Sequence, residues 1–189
     1  MKRAGLLCFL LCVVLSGCDT TPAKLTLVSP ETTIEASRVK QAAQQVSLLP
    51  IEDQRSEDET LGIVAGRPFR TTDLPACITQ SLNGLAPLKY HISKDVPQET
   101  AQLVLKVTIL KAYVQSIRAS KVAVLVLKVQ FAQRGINPPI EQIVRGQYAG
   151  PNWASTATEV QGALQDALQQ CMQQIRMQID NCFIKGSPS

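Results

Sequence analysis

The sequence predicts an α+β fold: an antiparallel or mixed sheet with two helices on one face, in the order β-α-β-β-β-α. Three observations carry this. Residues 103–110 (LVLKVTIL) and 122–131 (VAVLVLKVQF) alternate in side-chain character with the period of a strand. A C-terminal segment repeats apolar residues every three or four positions, as the buried stripe of a helix does. A shorter helix announces itself by a start signal near residue 73. Elements segregated in this way pack as two layers.

Taken in order, residues 24–28 are a short strand candidate ended by Ser29-Pro30, and the polar residues 31–45 are expected as a loop or weak helix. Residues 46–51 (VSLLPI) form a strand candidate. Pro50 cannot donate to a ladder, so it belongs at a sheet edge or in the strand's last residues. Residues 52–70 read as a charged loop punctuated by glycine. The first helix is capped by Thr72 or Asp73, carries Pro75 in its first turn and ends at Asn83-Gly84. Leu74, Cys77, Ile78, Leu82 and Leu85 share its apolar face. A short strand is expected at 88–92.

In the two long strands, Leu103, Leu105, Val107 and Ile109 share one face, as do Ala123, Leu125, Leu127, Val129 and Phe131. The short link at 116–121 makes them an antiparallel hairpin, and residues 142–149 add the next strand. Ser155 or Thr156 then starts a helix running to about Phe183, with Val160, Leu164, Leu168, Cys171, Ile175, Ile179 and Cys182 on its buried stripe. Val104, Val122, Val124 and Val126 point the opposite way. They form either an apolar interaction face or a face covered by residues 24–45 or by a second copy.

The N-terminus has a different logic. Met1-Lys2-Arg3 is cationic, residues 6–15 are apolar, and Leu15-Ser16-Gly17-Cys18 follows. Ten apolar residues are too few to span a bilayer, which takes about 20, but they suit the h-region of a signal peptide. Small side chains at Ser16 and Gly17 admit the backbone to a peptidase cleft, and Cys18 offers a thiol for acylation. The pattern resembles a bacterial lipobox. It predicts a signal peptide at 1–17, lipidation at Cys18 with a tether and extension to residue 45, an α+β domain at 46–185 and a flexible tail at 186–189. The lipid bilayer is then the first partner, reached through the acyl chains on Cys18. Asp19 resembles the enterobacterial signal for retention in the inner membrane, on its periplasmic side.

Loss of residues 1–17 leaves 172 of the 189 residues, enough for one domain with a core. The 19 basic residues fall to 17 without Lys2 and Arg3, against 15 acidic ones, a net charge of +2. Such a balance excludes the basic footprint of a nucleic-acid binder. Cys77, Cys171 and Cys182 remain after Cys8 and Cys12 depart with the signal. Cys171 and Cys182 lie about 16 Å apart along one helix, so a disulfide must join Cys77 to Cys171 or to Cys182. Three buried thiols acting as small hydrophobes are the other reading.

Little points to a reaction. His91 is the only histidine, and no phosphate loop, dinucleotide fingerprint or zinc motif occurs. The expectation is no metal, no cofactor and no catalytic residue. An envelope hydrolase would need His91 clustered with Asp53 or Asp73. The acidic run Glu57-Asp58-Glu59 lacks the oxygen spacing and glycine of a calcium loop. Asp53 and Arg55 can stabilise their own loop by pairing, or serve a docking edge.

The lipobox, Leu25, Leu27 and Pro30, the strand-end Asp53-x-Arg55 and Leu61-Gly62 together resemble the YajG-type family of bacterial lipoproteins. The amphipathic strand pair and the last helix, with Glu159 and Leu164, extend the likeness over most of the mature chain. That resemblance implies an envelope location and a fold, and no reaction; Cys77, Cys171 and Cys182 depart from it. A looser similarity is to small α+β lipoproteins that serve as accessory subunits of envelope machines. The expected function is therefore non-enzymatic binding of another cell-envelope protein, with a lipid-handling or transport accessory role as the alternative.

Overall fold

A computed structural model describes residues 23–25, 44–56, 60–71, 73–86, 89–152 and 156–185. The expected signal peptide, Cys18, Asp19, the segment 26–43, the acidic run 57–59 and the tail 186–189 lie outside these residues. The order is β1 (Ala23–Lys24), β2 (Gln44–Leu48), β3 (Glu52–Asp53), β4 (Gly62–Val64), β5 (Arg67–Arg70), α1 (Leu74–Asn83), β6 (Tyr90–Ser93), β7 (Leu103–Ile117), β8 (Ser120–Gln133), β9 (Ile140–Pro151) and α2 (Ala157–Lys185). The main sheet runs β6-β2-β7-β8-β9, with β3 continuing the β2 side of β7. Pairs β6–β2, β2–β7 and β3–β7 are parallel, whereas β7–β8 and β8–β9 are antiparallel. The fold is thus α+β with a mixed sheet, as the sequence predicts.

The strand pair β7–β8 is longer than its alternation suggests. A β-bulge between Ile109 and Lys111 shifts the register. The buried side therefore moves from Leu103, Leu105, Val107 and Ile109 to Ala112 and Val114. An extra residue on one strand reverses the phase of everything after it. β7 continues to Ile117 and turns through Arg118 and Ala119 into β8.

Residues 60–70 correct the expectation of a loop. Val64 and Arg67 pair across Ala65-Gly66, both at positive φ, which is the backbone of a two-residue hairpin turn. β1 adds in parallel to β5, giving a second sheet of order β1-β5-β4. It docks on the upper part of β7, where the Val114 N–H donates to the Leu61 carbonyl. Gly62, at φ 122°, lies so close to Val114 that a Cβ would strike its carbonyl oxygen. Ala23 and Leu25, from the stretch expected as tether and extension, join the hydrophobic core with Leu61, Val64 and Phe69.

β2 is an interior strand between β6 and β7, and Pro50 falls just beyond its end. α2 packs across β8 and β9, and every residue of its predicted stripe is buried. Its start is capped by Thr156, whose Oγ1 accepts the Glu159 N–H at 3.2 Å. α1 carries proline in its first turn, and Leu74, Cys77, Ile78 and Leu82 are buried, as predicted. Among the described residues no helix is long and apolar enough to cross a membrane.

Candidate functional site

A concavity arises where α1 stops. Gly84 N–H bonds back to the Gln80 carbonyl and Leu85 N–H to that of Leu82, and Ala86 takes a positive φ. The chain thereby turns away while α2 continues alongside. A groove of about 570 Å³ remains between them. Leu168 and Met172 of α2 are buried beneath it, with Leu85 and Ala86 packed against the core on the α1 side. Gln165, Gln169, Gln173 and Arg176 line it from successive turns of α2. Residues four apart lie on one helix face, so the three amides form a row. The site is an apolar floor beside neutral donors and acceptors, with Arg176 as the one charged lining residue among the described residues.

Below the groove, α2 is latched to β6. Lys89 Nζ and Tyr90 Oη both donate to Asp180 Oδ1. The Tyr90 ring stacks on Phe183 with centroids 5.6 Å apart, and Lys89 Nζ lies 5.3 Å from the Tyr90 centroid. The Lys89 and Tyr90 hydrogen bonds hold the Asp180 carboxyl below its ordinary range. Burial, helped by the bond to Asp180, pushes the Tyr90 phenol up.

A smaller recess of about 290 Å³ opens at the start of α2. Lys121, only 3 % exposed in its side chain, bonds Glu159 there at 3.2 Å. A buried lysine with a carboxylate at hydrogen-bonding distance is satisfied structurally.

Arg55 and Asp53 come together as a local clamp. Asp53 Oδ1 accepts the Arg55 N–H at 3.1 Å and Nε at 3.0 Å, and Oδ2 accepts Nη2 at 2.7 Å. The Arg55 side chain is 8 % exposed, so its guanidinium serves the loop. Its bonds hold the Asp53 carboxyl low against the opposing effect of burial.

On the sheet's second face, Val124 is 2 % exposed, while Val104, Val122 and Val126 are half-buried. The centre of that face is therefore buried, and its flanks are partly open. His91 pairs with Gln45, whose carbonyl accepts the Gln102 N–H, while Asp53 pairs with Ile109. From 102 to 109 the strand backbone covers about 23 Å, so His91 and Asp53 do not meet.

None of Cys77, Cys171 and Cys182 is in a disulfide, so the expected bridge from Cys77 to Cys171 or Cys182 is not formed. The Cys171 Sγ points into the sheet, 3.6 Å from the Leu125 carbonyl oxygen. Burial pushes its thiol up to about 12. Among the described residues no cluster of His, Cys, Asp and Glu could hold a metal ion. Sequence reasoning missed the groove, and Met172 and Arg176 with it. The one available signal was the four-residue spacing of Gln165, Gln169 and Gln173.

The class these features define is a two-layer α+β domain with a groove on its helical side. No family model matches the chain, and no curated protein is similar to it in sequence. Solved structures do share the fold. Protein XCC0632 from Xanthomonas campestris, described under the family model DUF330, superposes with a TM-score of 0.57 at 11 % identity, covering 87 % of this chain and 97 % of that one. The hypothetical protein CT253 from Chlamydia trachomatis gives 0.51 at 12 % identity, covering 76 % and 99 %. A putative lipoprotein from Caulobacter crescentus CB15 gives 0.44 at 7 % identity, covering 61 % and 86 %.

Proposed function

We propose that this chain is a non-enzymatic lipoprotein of the bacterial cell envelope, anchored through acyl chains on Cys18 with its domain on the periplasmic side of the membrane, and that it binds another envelope protein in the groove between α1 and α2. The groove carries this reading. Gln169 and Gln173 can each donate and accept, which suits a peptide backbone, while Leu168 and Met172 offer an apolar floor for one or two side chains. The Asp53–Arg55 loop is turned inward on its own ion pair and is a poorer docking edge. A lipid-handling role for the valine face loses support from the burial of Val124 at its centre.

The test uses the full lipidated protein, purified from membranes in mild detergent. A variant carrying Gln169→Glu, Gln173→Glu and Arg176→Glu makes the rim anionic without touching a buried residue. The wild type should bring down one stoichiometric envelope protein, and the variant should lose it while melting within a few degrees of wild type. A variant that keeps the partner moves the site elsewhere. A wild type that recovers none and sediments alone sinks the partner reading.

A further inference from the structure

β9 is the last strand of the main sheet, and it is long, running from Ile140 to Pro151. Such an edge is a template on which another chain can pair. Here it is occupied by side chains. Gln170 Nε2 donates to the Gln147 carbonyl at 2.9 Å, and its Oε1 accepts the Gln147 N–H at 3.1 Å. One turn on, Gln174 Nε2 donates to the Arg145 carbonyl at 2.7 Å, and its Oε1 accepts the Arg145 N–H at 3.4 Å. Each amide therefore exchanges both bonds with one residue of β9, as the opposing residue of an antiparallel strand would.

The match follows from helix and strand geometry. Four residues of helix rise about 6 Å, and two residues of strand about 6.7 Å. Glutamines four apart thus meet β9 residues two apart. Between them lies Gly146, where a Cβ would strike the Ala167 carbonyl oxygen, so its missing side chain lets α2 come close enough for the amides to reach.

We propose that Gln170 and Gln174 act as a substitute strand that holds the β9 edge closed against a second copy of this chain. The edge is suited to self-pairing. A two-fold axis at Gly146 would set Arg145 against Gln147 and Ile143 against Ala149 of the copy, with no like charges opposed. Ile143, 62 % exposed, is the apolar side chain such pairing would cover.

The experiment compares the full chain in mild detergent with Gln170→Ala/Gln174→Ala, following mass against concentration by analytical ultracentrifugation. The double variant should shift from the wild-type mass towards twice that value. Adding Gln147→Pro should reverse the shift, because proline removes an outward N–H and leaves the alternate residues bonded to β8. If the double variant does not fold, the single Gln174→Ala variant is measured for the same shift and reversal. A folded variant that keeps the wild-type mass, or a shift that Gln147→Pro leaves intact, overturns the proposal.

Discussion

Gly146 sets the distance between the helical layer and the sheet. The atom that its Cβ would strike is the backbone carbonyl oxygen of Ala167, which cannot rotate away as a side chain could. Gly146→Ala must therefore push α2 off β9 and loosen the packing around Leu125 and Cys171, at a cost of about 1–3 kcal/mol. Gly162 gives the opposite expectation. It lies within α2 with nothing near its missing Cβ. Gly162→Ala removes the entropy cost of a helical glycine and should stabilise by roughly 0.5–1 kcal/mol. Urea unfolding of the two variants reads both signs in one experiment, and a neutral Gly146→Ala would show that the layers have room to spare.

At the level of elements, the contact between α2 and β6 depends on pH through Asp180. Its folded carboxyl is held low by the hydrogen bonds from Lys89 and Tyr90. A depressed carboxyl stabilises the fold above its unfolded pKa, and that share is lost as the pH falls through the folded value. The melting temperature of the wild type should therefore drop from about pH 4 downwards. Asp180→Asn should flatten that limb, leaving what Asp53, Glu52 and Glu141 contribute by being lowered themselves. Equal acid limbs in the two proteins would mean that Asp180 does not couple α2 to β6. Sequence periodicity served some elements better than others. α2 was legible throughout, because one uninterrupted stripe faces one sheet. β7 was legible only to its bulge, since a pattern of period two loses its phase when a residue is inserted. The β4–β5 hairpin hid in a charged stretch, its turn marked only by Ala65-Gly66. The groove was not legible, because it is a gap between the end of α1 and the flank of α2. Neither segment reveals such a gap alone. Asp53 and Arg55 were recognisable as a pair, and the structure uses them in the way their spacing permits.

The whole molecule joins the predicted anchor to a domain that begins almost at once. Ala23 is buried and pairs with Phe69 of β5, five positions after Cys18. Five residues reach at most about 18 Å when fully extended. If Cys18 carries acyl chains, the β1-β5-β4 sheet therefore stands close to the lipid headgroups, and a partner must be sought near the bilayer surface. Ile63 of β4 reports on this. It is 60 % exposed, and its strand lies two places from β1, about 10 Å away. Cys77, Cys171 and Cys182 are buried, so a cysteine introduced at Ile63 is the thiol a fluorophore would label. In vesicles with acceptor-labelled headgroups, the Ile63→Cys protein should transfer energy strongly. Inserting about 30 flexible residues before Ala23 should weaken that transfer while leaving the protein membrane-bound. Cys18→Ser should abolish both transfer and membrane binding. Tight membrane association that survives Cys18→Ser would refute the anchor. Transfer unchanged by the insertion would show that the domain holds the membrane by its own surface, not by the shortness of its tether.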